Sequence, residues 1–246
     1  AGLSLLLVMA APIMFLTLPA QNLYYGYIVP NIYHNPPSIL LKPLALAQAA
    51  LVLRCLTTHR PPLWTMPLLF LVSTAAIVTK PNFAVCLLPP VGLIMVLRLL
   101  RRAPMDFAAL AIGFVLPTLL ALVAQTAIFS VTRGSVYFAP LEALRLNNDN
   151  AALDLLPVKQ LLSILFPLMV IIYLRQSASR SPGLIVLWLA FAAGWVQMML
   201  LNEPVHPKAG NWWWGAQTTL FVLFVFSTRF LIEQRHTLSL RVQRML

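Results

Sequence analysis

The stretch GLIVLWLAFAAGWVQMMLL, residues 183–201, decides the fold of this protein, because all of its 19 residues are uncharged. A helix of about 20 predominantly apolar residues is long enough to span the hydrocarbon core of a bilayer. Lipid offers the backbone no hydrogen-bond partners, so such a segment must pair its own amides and carbonyls as a helix. The stretch therefore predicts a membrane-spanning helix.

Apolar runs of this kind recur along the whole chain of 246 residues, which is 60% hydrophobic and 9% charged, with a mean hydropathy of +0.84. A soluble domain has about 25% charged residues, so lipid must be the solvent here. We expect eight spans, at about 2–19, 38–55, 64–79, 83–99, 107–130, 159–175, 183–201 and 213–232. The predicted fold class is all-α, a polytopic transmembrane helix bundle forming a single domain over residues 1–246.

The positive charges are distributed unevenly between the two sides of the predicted bundle. Eleven of the 17 cationic residues lie on one side, at Arg54, Arg60, Arg98, Arg101, Arg102, Arg175, Arg180, Arg229, Arg235, Arg241 and Arg244. Six lie on the other side, at Lys42, Lys80, Arg133, Arg145, Lys159 and Lys208. The positive-inside rule puts the first set in the cytoplasm. The net charge of +11 therefore reflects topology, and nucleic acid is not an expected partner.

Three loops on the predicted outer face, 20–37, 131–158 and 202–212, are long or rich in polar residues, whereas the cytoplasmic connections are short and basic. Within 131–158, the leucines of APLEALRLNNDNAALDLLP recur at spacings of three and four residues. This spacing predicts short interfacial helices on the outer face.

The outer stretch YYGYIVPNIYHNPPSILLKP, residues 24–43, combines four tyrosines with His34 and Asn35. A proline pair follows, as is common where a helix begins. The tyrosines, Tyr33 among them, are also at home in the aromatic belt of a membrane interface, so two interpretations of them stay open. A loop is not where a buried core histidine would lie, which makes His34 and Asn35 candidate binding residues.

A second stretch, VTKPNF at 78–83, interrupts the apolar pattern between two runs of about 16 residues. Such runs form roughly 24 Å of helix against a hydrocarbon core of about 30 Å, so the turn is expected below the outer surface. A lysine at that depth must face protein or a wet cavity. Lys80 therefore either snorkels to the interface or forms an anion site, and Asn82 is expected to cap the next helix.

The third stretch is EPVHPKAGNWWW, residues 203–214, where Glu203, His206 and Lys208 place a carboxylate, an imidazole and an ammonium within six residues. Consecutive residues at a helix start point in different directions. Some of the tryptophans at 212–214 can therefore anchor in the headgroup layer while one packs on a sugar ring. Glu-x-x-His in a proline-broken loop is not helical ligand spacing, so no metal is expected.

Many apolar helices with polar chemistry confined to the outer face resemble the layout of the GT-C superfamily of integral-membrane glycosyltransferases. These enzymes take sugars from polyprenyl-phosphate donors. The resemblance rests on YHNPP at 33–37, KPNF at 80–83 and E-x-x-H-x-K-x-G-N-W at 203–212, and it covers the whole chain at the level of layout. It implies a multi-pass enzyme of the bacterial inner membrane with its site on the extracytoplasmic side. The implied acceptor is a glycan, lipid or protein, and the lipid-linked sugar donor is a substrate, with no separate cofactor.

The resemblance also implies roles for individual residues. An acceptor hydroxyl attacks the anomeric carbon of the sugar while the lipid phosphate leaves, so the phosphate needs nearby positive charge and the acceptor needs a base. The catalytic candidates are Glu203 and His206. The substrate-binding candidates are Tyr33, His34, Asn35, Lys80, Arg133, Lys208, Asn211 and Trp212.

The sequence departs from the family at its first external loop. GT-C enzymes usually hold the catalytic carboxylate there, but residues 20–37 contain no Asp or Glu. The chain also opens inside an apolar run at Ala1, without a basic leader, which predicts that an upstream N-terminal part is missing. We expect the base in that segment, with Glu203 as a residue of the same site.

Other classes of function stay open. A polysaccharide polymerase or ligase would also place cations in external loops. A lipid-linked-sugar transporter should show inverted repeats and ionisable residues near the membrane midplane, and beyond Lys80 the sequence has neither. A non-enzymatic membrane subunit would leave the polar loops unexplained.

Overall fold

The protein is almost entirely helical in the residues that the computed structural model describes, which are 27–29, 35–58, 61–133, 136–146, 155–204 and 211–237. The predicted first span, 2–19, lies outside these residues. The architecture of the described chain confirms the prediction of an all-α, polytopic transmembrane bundle.

The helices follow the apolar runs closely. They are α1 (Pro36–Thr57), α2 (Thr65–Thr79), α3 (Asn82–Leu100), α4 (Phe107–Leu110), α5 (Leu116–Arg133), α6 (Glu142–Leu146), α7 (Leu156–Tyr173), α8 (Arg175–Ala178), α9 (Pro182–Leu200) and α10 (Trp213–Gln234). A π-helical turn, Ala111–Val115, joins α4 to α5, and a 3-10 turn, Arg235–Thr237, follows α10. In the described chain, six apolar helical stretches are long enough to cross a membrane, and α2, with 15 residues, is a shorter one. The ends of these seven stretches, with α4, the π-helical turn and α5 taken as one, lie within three residues of the predicted bounds.

The helix starts were predicted with mixed success. Pro36 and Pro37 open α1 as expected, and the Asn35 side chain caps this helix by accepting a hydrogen bond from the Ser38 N–H at 3.2 Å. The expectation that Asn82 caps α3 is wrong, because α3 begins at Asn82 itself and no side chain caps it. The Asn82 side-chain amide instead donates a hydrogen bond to the Asn211 carbonyl, in the turn before α10.

Small residues bring α9 and α10 into close contact. A Cβ added to Gly194 would lie 2.9 Å from the backbone nitrogen of Ala216, so only glycine allows the two backbones to approach this far. Helix association in membranes relies on such packing, because lipid provides no hydrophobic driving force between helices. Residues 215–224 of α10 are buried as a result, and the start of this helix lies among the other helices of the bundle.

A short antiparallel pair of strands, β1 (Tyr137–Phe138) and β2 (Leu201–Asn202), joins two loops that the sequence analysis treated separately. The ladder continues past β1, where the Leu141 N–H donates to the Met199 carbonyl at 2.7 Å. Next to it, α6 is the described part of the predicted interfacial helices, and its Leu144 is 2% exposed within the core. The described part of the 131–158 loop is therefore hydrogen-bonded to the end of α9.

The two ends of the bundle differ in chemistry. The start of α1, the turn between α2 and α3, the strand pair and the start of α10 lie at one end, connected by side-chain hydrogen bonds. At the opposite end, Arg98 donates to the carbonyls of Leu56 and Pro104, and Arg229 pairs with Glu233 at 2.7 Å. The described parts of the three predicted outer loops thus share one end, away from this arginine-rich end.

Candidate functional site

Lys80 lies in the turn between α2 and α3, where Pro81 interrupts the helical backbone. Its ammonium donates to the Ser38 hydroxyl at 3.0 Å and sits 3.5 Å above the centre of the Trp214 ring. Burial lowers the pKa of Lys80 to about 8. Within the described residues no carboxylate lies within ion-pair distance of this ammonium. Within the described chain, Lys80 is therefore a half-buried cation whose contacts are with neutral groups.

A chain of hydrogen bonds leads from the same turn to Glu203. The Asn82 amide donates to the backbone carbonyl of Asn211 at 3.0 Å. The Asn211 amide in turn donates to a carboxylate oxygen of Glu203. Since Asn82 follows Lys80 by two residues, the start of α3 holds both the ammonium and the link to the carboxylate. The predicted binding residue Asn211 therefore orients the carboxylate of Glu203.

A second carboxylate, which the sequence analysis did not propose for the site, joins this network. Glu142 accepts hydrogen bonds from the Tyr137 hydroxyl at 2.5 Å and from the Asn202 amide at 3.0 Å. These bonds, that of Tyr137 first, lower the pKa of the Glu142 carboxyl below its ordinary value. The Asn202 side-chain oxygen then accepts from the Glu203 N–H at 2.9 Å. Asn202 in the strand pair thus links the Glu142 carboxylate to the backbone of Glu203.

The three tryptophans divide between different environments. The ring of Trp214 is stacked under Lys80. The indole nitrogens of Trp212 and Trp213 are buried, and no group in the described residues accepts a hydrogen bond from either. Buried N–H donors without an acceptor are rare in folded proteins. Trp212, a predicted binding residue, therefore has a buried N–H beside the Asn211 turn for which the described chain offers no acceptor.

Most of the remaining predicted site residues lie outside the described chain. Tyr33, His34, His206 and Lys208 lie outside the described residues, and Arg133 is described only as the last residue of α5. The structure thus brings together Lys80, Asn211 and Glu203 from the predicted set. It also adds participants from outside that set, namely Ser38, Asn82, Tyr137, Glu142, Asn202 and Trp214.

An apolar groove with a volume of about 590 Å³ lies between α7 and α9. One of its lining residues, Leu141, directly precedes Glu142 and has a left-handed backbone with φ of 60°. Strain of this kind in a residue other than glycine persists only where the surroundings impose it. The groove therefore borders a constrained residue that is adjacent in sequence to Glu142. Its walls include Leu141, Leu156, Ile164, Trp188, Phe191 and Met199.

Metal ligands are not clustered in the described residues, where no three His, Cys, Asp or Glu side chains come together. The polar groups that do converge are one ammonium, two carboxylates and several amides. This set can bind an anion and orient a hydroxyl, but these residues alone do not form a metal centre.

No family model, curated protein or solved structure matches the chain. The fold itself defines an all-α, multi-pass integral membrane protein, and the six long apolar helices of the described chain place it in a lipid bilayer. The site adds that one end of the bundle carries a lysine without a carboxylate partner in the described chain, next to hydrogen-bonded carboxylates.

Proposed function

We propose that the protein is a membrane glycosyltransferase, which moves a sugar from a polyprenyl-phosphate donor to an acceptor hydroxyl on the extracytoplasmic face of a bacterial inner membrane. The observation that carries this proposal is the juxtaposition at the start of α3. There, Lys80 presents a positive charge to the outer end of the bundle, and Asn82 connects through Asn211 to the carboxylate of Glu203.

Lys80 suits the leaving group of this reaction. As the acceptor oxygen bonds to the anomeric carbon, the bond between that carbon and the phosphate oxygen breaks, and the electron pair leaves with the phosphate. A fixed ammonium near this oxygen stabilises the negative charge that develops. An ammonium has three donors, of which Ser38 takes one, while the Trp214 ring stabilises the charge without neutralising it.

Glu203 suits the acceptor side of the reaction. The acceptor hydroxyl must lose its proton during transfer, and a carboxylate within hydrogen-bond reach can accept it. In the described residues, Asn211 and the backbone contact to Asn202 orient Glu203 through neutral groups. Under this proposal His206 assists in the proton transfer, and His34, Lys208 and Arg133 add positive charge around the phosphate.

The groove between α7 and α9 suits the lipid part of the donor. A polyprenyl chain is apolar along its length and needs a wall of apolar side chains that ends near the polar site. The groove supports this assignment, since its walls are almost entirely apolar and include Leu141, the residue before Glu142. The positive-inside rule supports an extracytoplasmic site, because the arginine-rich end of the bundle lies opposite it.

The test uses full-length protein in proteoliposomes, supplied with polyprenyl-phosphate hexoses and pentoses that are radiolabelled in the sugar. We expect E203Q, which keeps an oxygen for the Asn211 amide, and K80Q each to slow transfer tenfold or more, about 1.4 kcal/mol of barrier. The controls are E233Q and R54Q, which remove a carboxylate and a cation at the opposite end. R54Q is matched to K80Q, because Arg54 also stacks on a tryptophan, Trp64, at 5.2 Å. Transfer by E203Q and K80Q at the wild-type rate would refute the proposal.

A further inference from the structure

The Asn202 side chain lies between two groups of opposite hydrogen-bonding capacity. Its amide nitrogen donates to the Glu142 carboxylate at 3.0 Å, and its amide oxygen accepts from the backbone N–H of Glu203 at 2.9 Å. An ionised carboxylate can only accept, and a backbone N–H can only donate. Only one of the two orientations of the Asn202 amide therefore satisfies both neighbours.

Burial makes this orientation costly to change. Asn202 is 2% exposed, so water has little access to either hydrogen bond. If the amide turned over, its nitrogen would face the Glu203 N–H and its oxygen would face the Glu142 carboxylate. Two hydrogen bonds would then be lost, and buried polar groups without partners are unfavourable. The hydrogen bonds that lower the pKa of Glu142 also keep its carboxyl ionised near neutral pH, so this group remains an acceptor.

Glu203 is held at two points, which come from different parts of the chain. Its N–H is bonded to Asn202 at the end of β2, and its carboxylate accepts from Asn211 in the turn before α10. Asn211 contacts the far end of the side chain, so the position of the near end depends on Asn202. Such placement matters for a reacting group, since a displacement of about 1 Å can slow a reaction about a hundredfold.

We infer that Glu142 is a positioning residue for the transfer reaction, because it fixes the Asn202 amide that in turn places Glu203 for contact with the acceptor hydroxyl. This inference rests on the proposed function, in which Glu203 accepts the proton. Glu142 also lies in the first turn of α6, where an acidic side chain stabilises the start of a helix. A role confined to α6 would not depend on the side chain of Asn202.

The test exchanges the acid and the amide between the two positions, in full-length protein in proteoliposomes. N202D puts a second carboxylate against Glu142, and E142Q removes the charge that fixes Asn202. In the double variant, the new glutamine can donate to the new aspartate, which still accepts from the Glu203 N–H. We expect transfer per folded protein to fall tenfold or more in N202D and about threefold in E142Q. The double variant should recover to within about twofold of wild type.

Two further measurements distinguish positioning from a loss of structure. Neither substitution touches Lys80, which the proposed function assigns to the donor phosphate, so kcat should fall while KM for the donor lipid stays unchanged. The Glu203 amide should exchange with solvent faster in E142Q than in wild type, and the double variant should slow it again. Glu142, Glu203 and Glu233 are the three glutamates of the chain, so NMR with 15N-glutamate resolves this amide. F138A, which truncates an exposed side chain of the same strand pair, should change none of these values.

The outcomes separate this inference from the proposed function. If E203Q slows transfer but E142Q and N202D transfer at the wild-type rate, the positioning inference fails and the transferase proposal survives. A double variant that is no faster than N202D would also overturn the inference, because Glu142 would then not act through Asn202. If wild type transfers no sugar, but E142Q speeds the Glu203 exchange and the double variant reverses it, the transferase proposal fails. The link from Glu142 to Glu203 then stands.

Discussion

Gly215, the third residue of α10, offers the sharpest test of how the site is held in place. A Cβ added there would lie 2.6 Å from the Cys86 sulfur, well inside van der Waals contact. Cys86 is fully buried in α3, and its sulfur lies 3.6 Å from the Gln197 side-chain oxygen. Substitution of Gly215 by alanine therefore forces either the thiol or the start of α10 to move.

The expected energies follow from this contact. Overpacking a close-packed core costs about 1–3 kcal/mol, while replacing a helical glycine with alanine recovers about 0.5–1 kcal/mol. We therefore expect G215A to destabilise the protein by about 1 kcal/mol. C86A alone should cost a similar amount through the cavity it leaves. In the G215A background, however, C86A removes the clashing sulfur and should restore stability, a coupling of about 2 kcal/mol.

Unfolding of the four variants in mixed detergent and SDS micelles measures this coupling. G92A is a matched control in α3, because a Cβ added to Gly92 meets no atom within 4 Å. This control should be as stable as wild type or slightly more stable. If C86A costs the same free energy in the wild-type and G215A backgrounds, the two side chains do not collide, and the proposed close approach of α3 and α10 is wrong.

Two further predictions concern the charged groups of the site. Binding of a sugar-linked phosphodiester lipid, whose phosphate does not titrate near neutrality, should weaken as the pH rises through about 8, where Lys80 loses its proton. K80R stays charged in that range and should show no such fall, and an equal fall in both would exclude Lys80. Y137F should raise the pKa of Glu142 and speed amide exchange at Leu141, since the ladder loses a bond to a charged group. Glu142 has a lowered pKa in the folded protein, so its contribution is present above the unfolded value and lost as the pH falls through the folded value. The difference between Y137F and wild type should therefore vanish in acid, and a difference that persists there would contradict this role.

The membrane spans could be predicted because the physics that forms them is local. Each run is apolar on every side, and lipid requires its backbone to hydrogen-bond within the segment. The break at Lys80 was readable for the same reason, since Pro81 disfavours helical geometry in the residue before it. The polar stretches could also be placed at one end of the bundle, from the alternation of spans and cations alone.

The contacts within the site were not readable from the sequence. Helices that are apolar all round carry no signal for which face meets which neighbour, so Trp214 could not be matched to Lys80. The pairing of Tyr137 with Asn202 depends on the register of two loops 65 residues apart, and neither has an alternating strand pattern. Asn82 was misjudged because a helix-start asparagine usually caps its own helix. Here the Asn211 carbonyl, in the turn before α10, accepts a hydrogen bond from the Asn82 side-chain amide.

The separation of Lys80 from Glu203 is the feature that most favours a transfer reaction over a structural role. If the two side chains formed an ion pair, their charges would stabilise each other and reduce what either could offer a ligand. The described structure instead gives each a neutral partner, with Trp214 and Ser38 for the ammonium and Asn211 for the carboxylate. This arrangement has a cost, since burial lowers the pKa of Lys80. A phosphate bound beside Lys80 would offset that cost, because a nearby negative charge favours the protonated amine, and the same interaction contributes affinity for the anion.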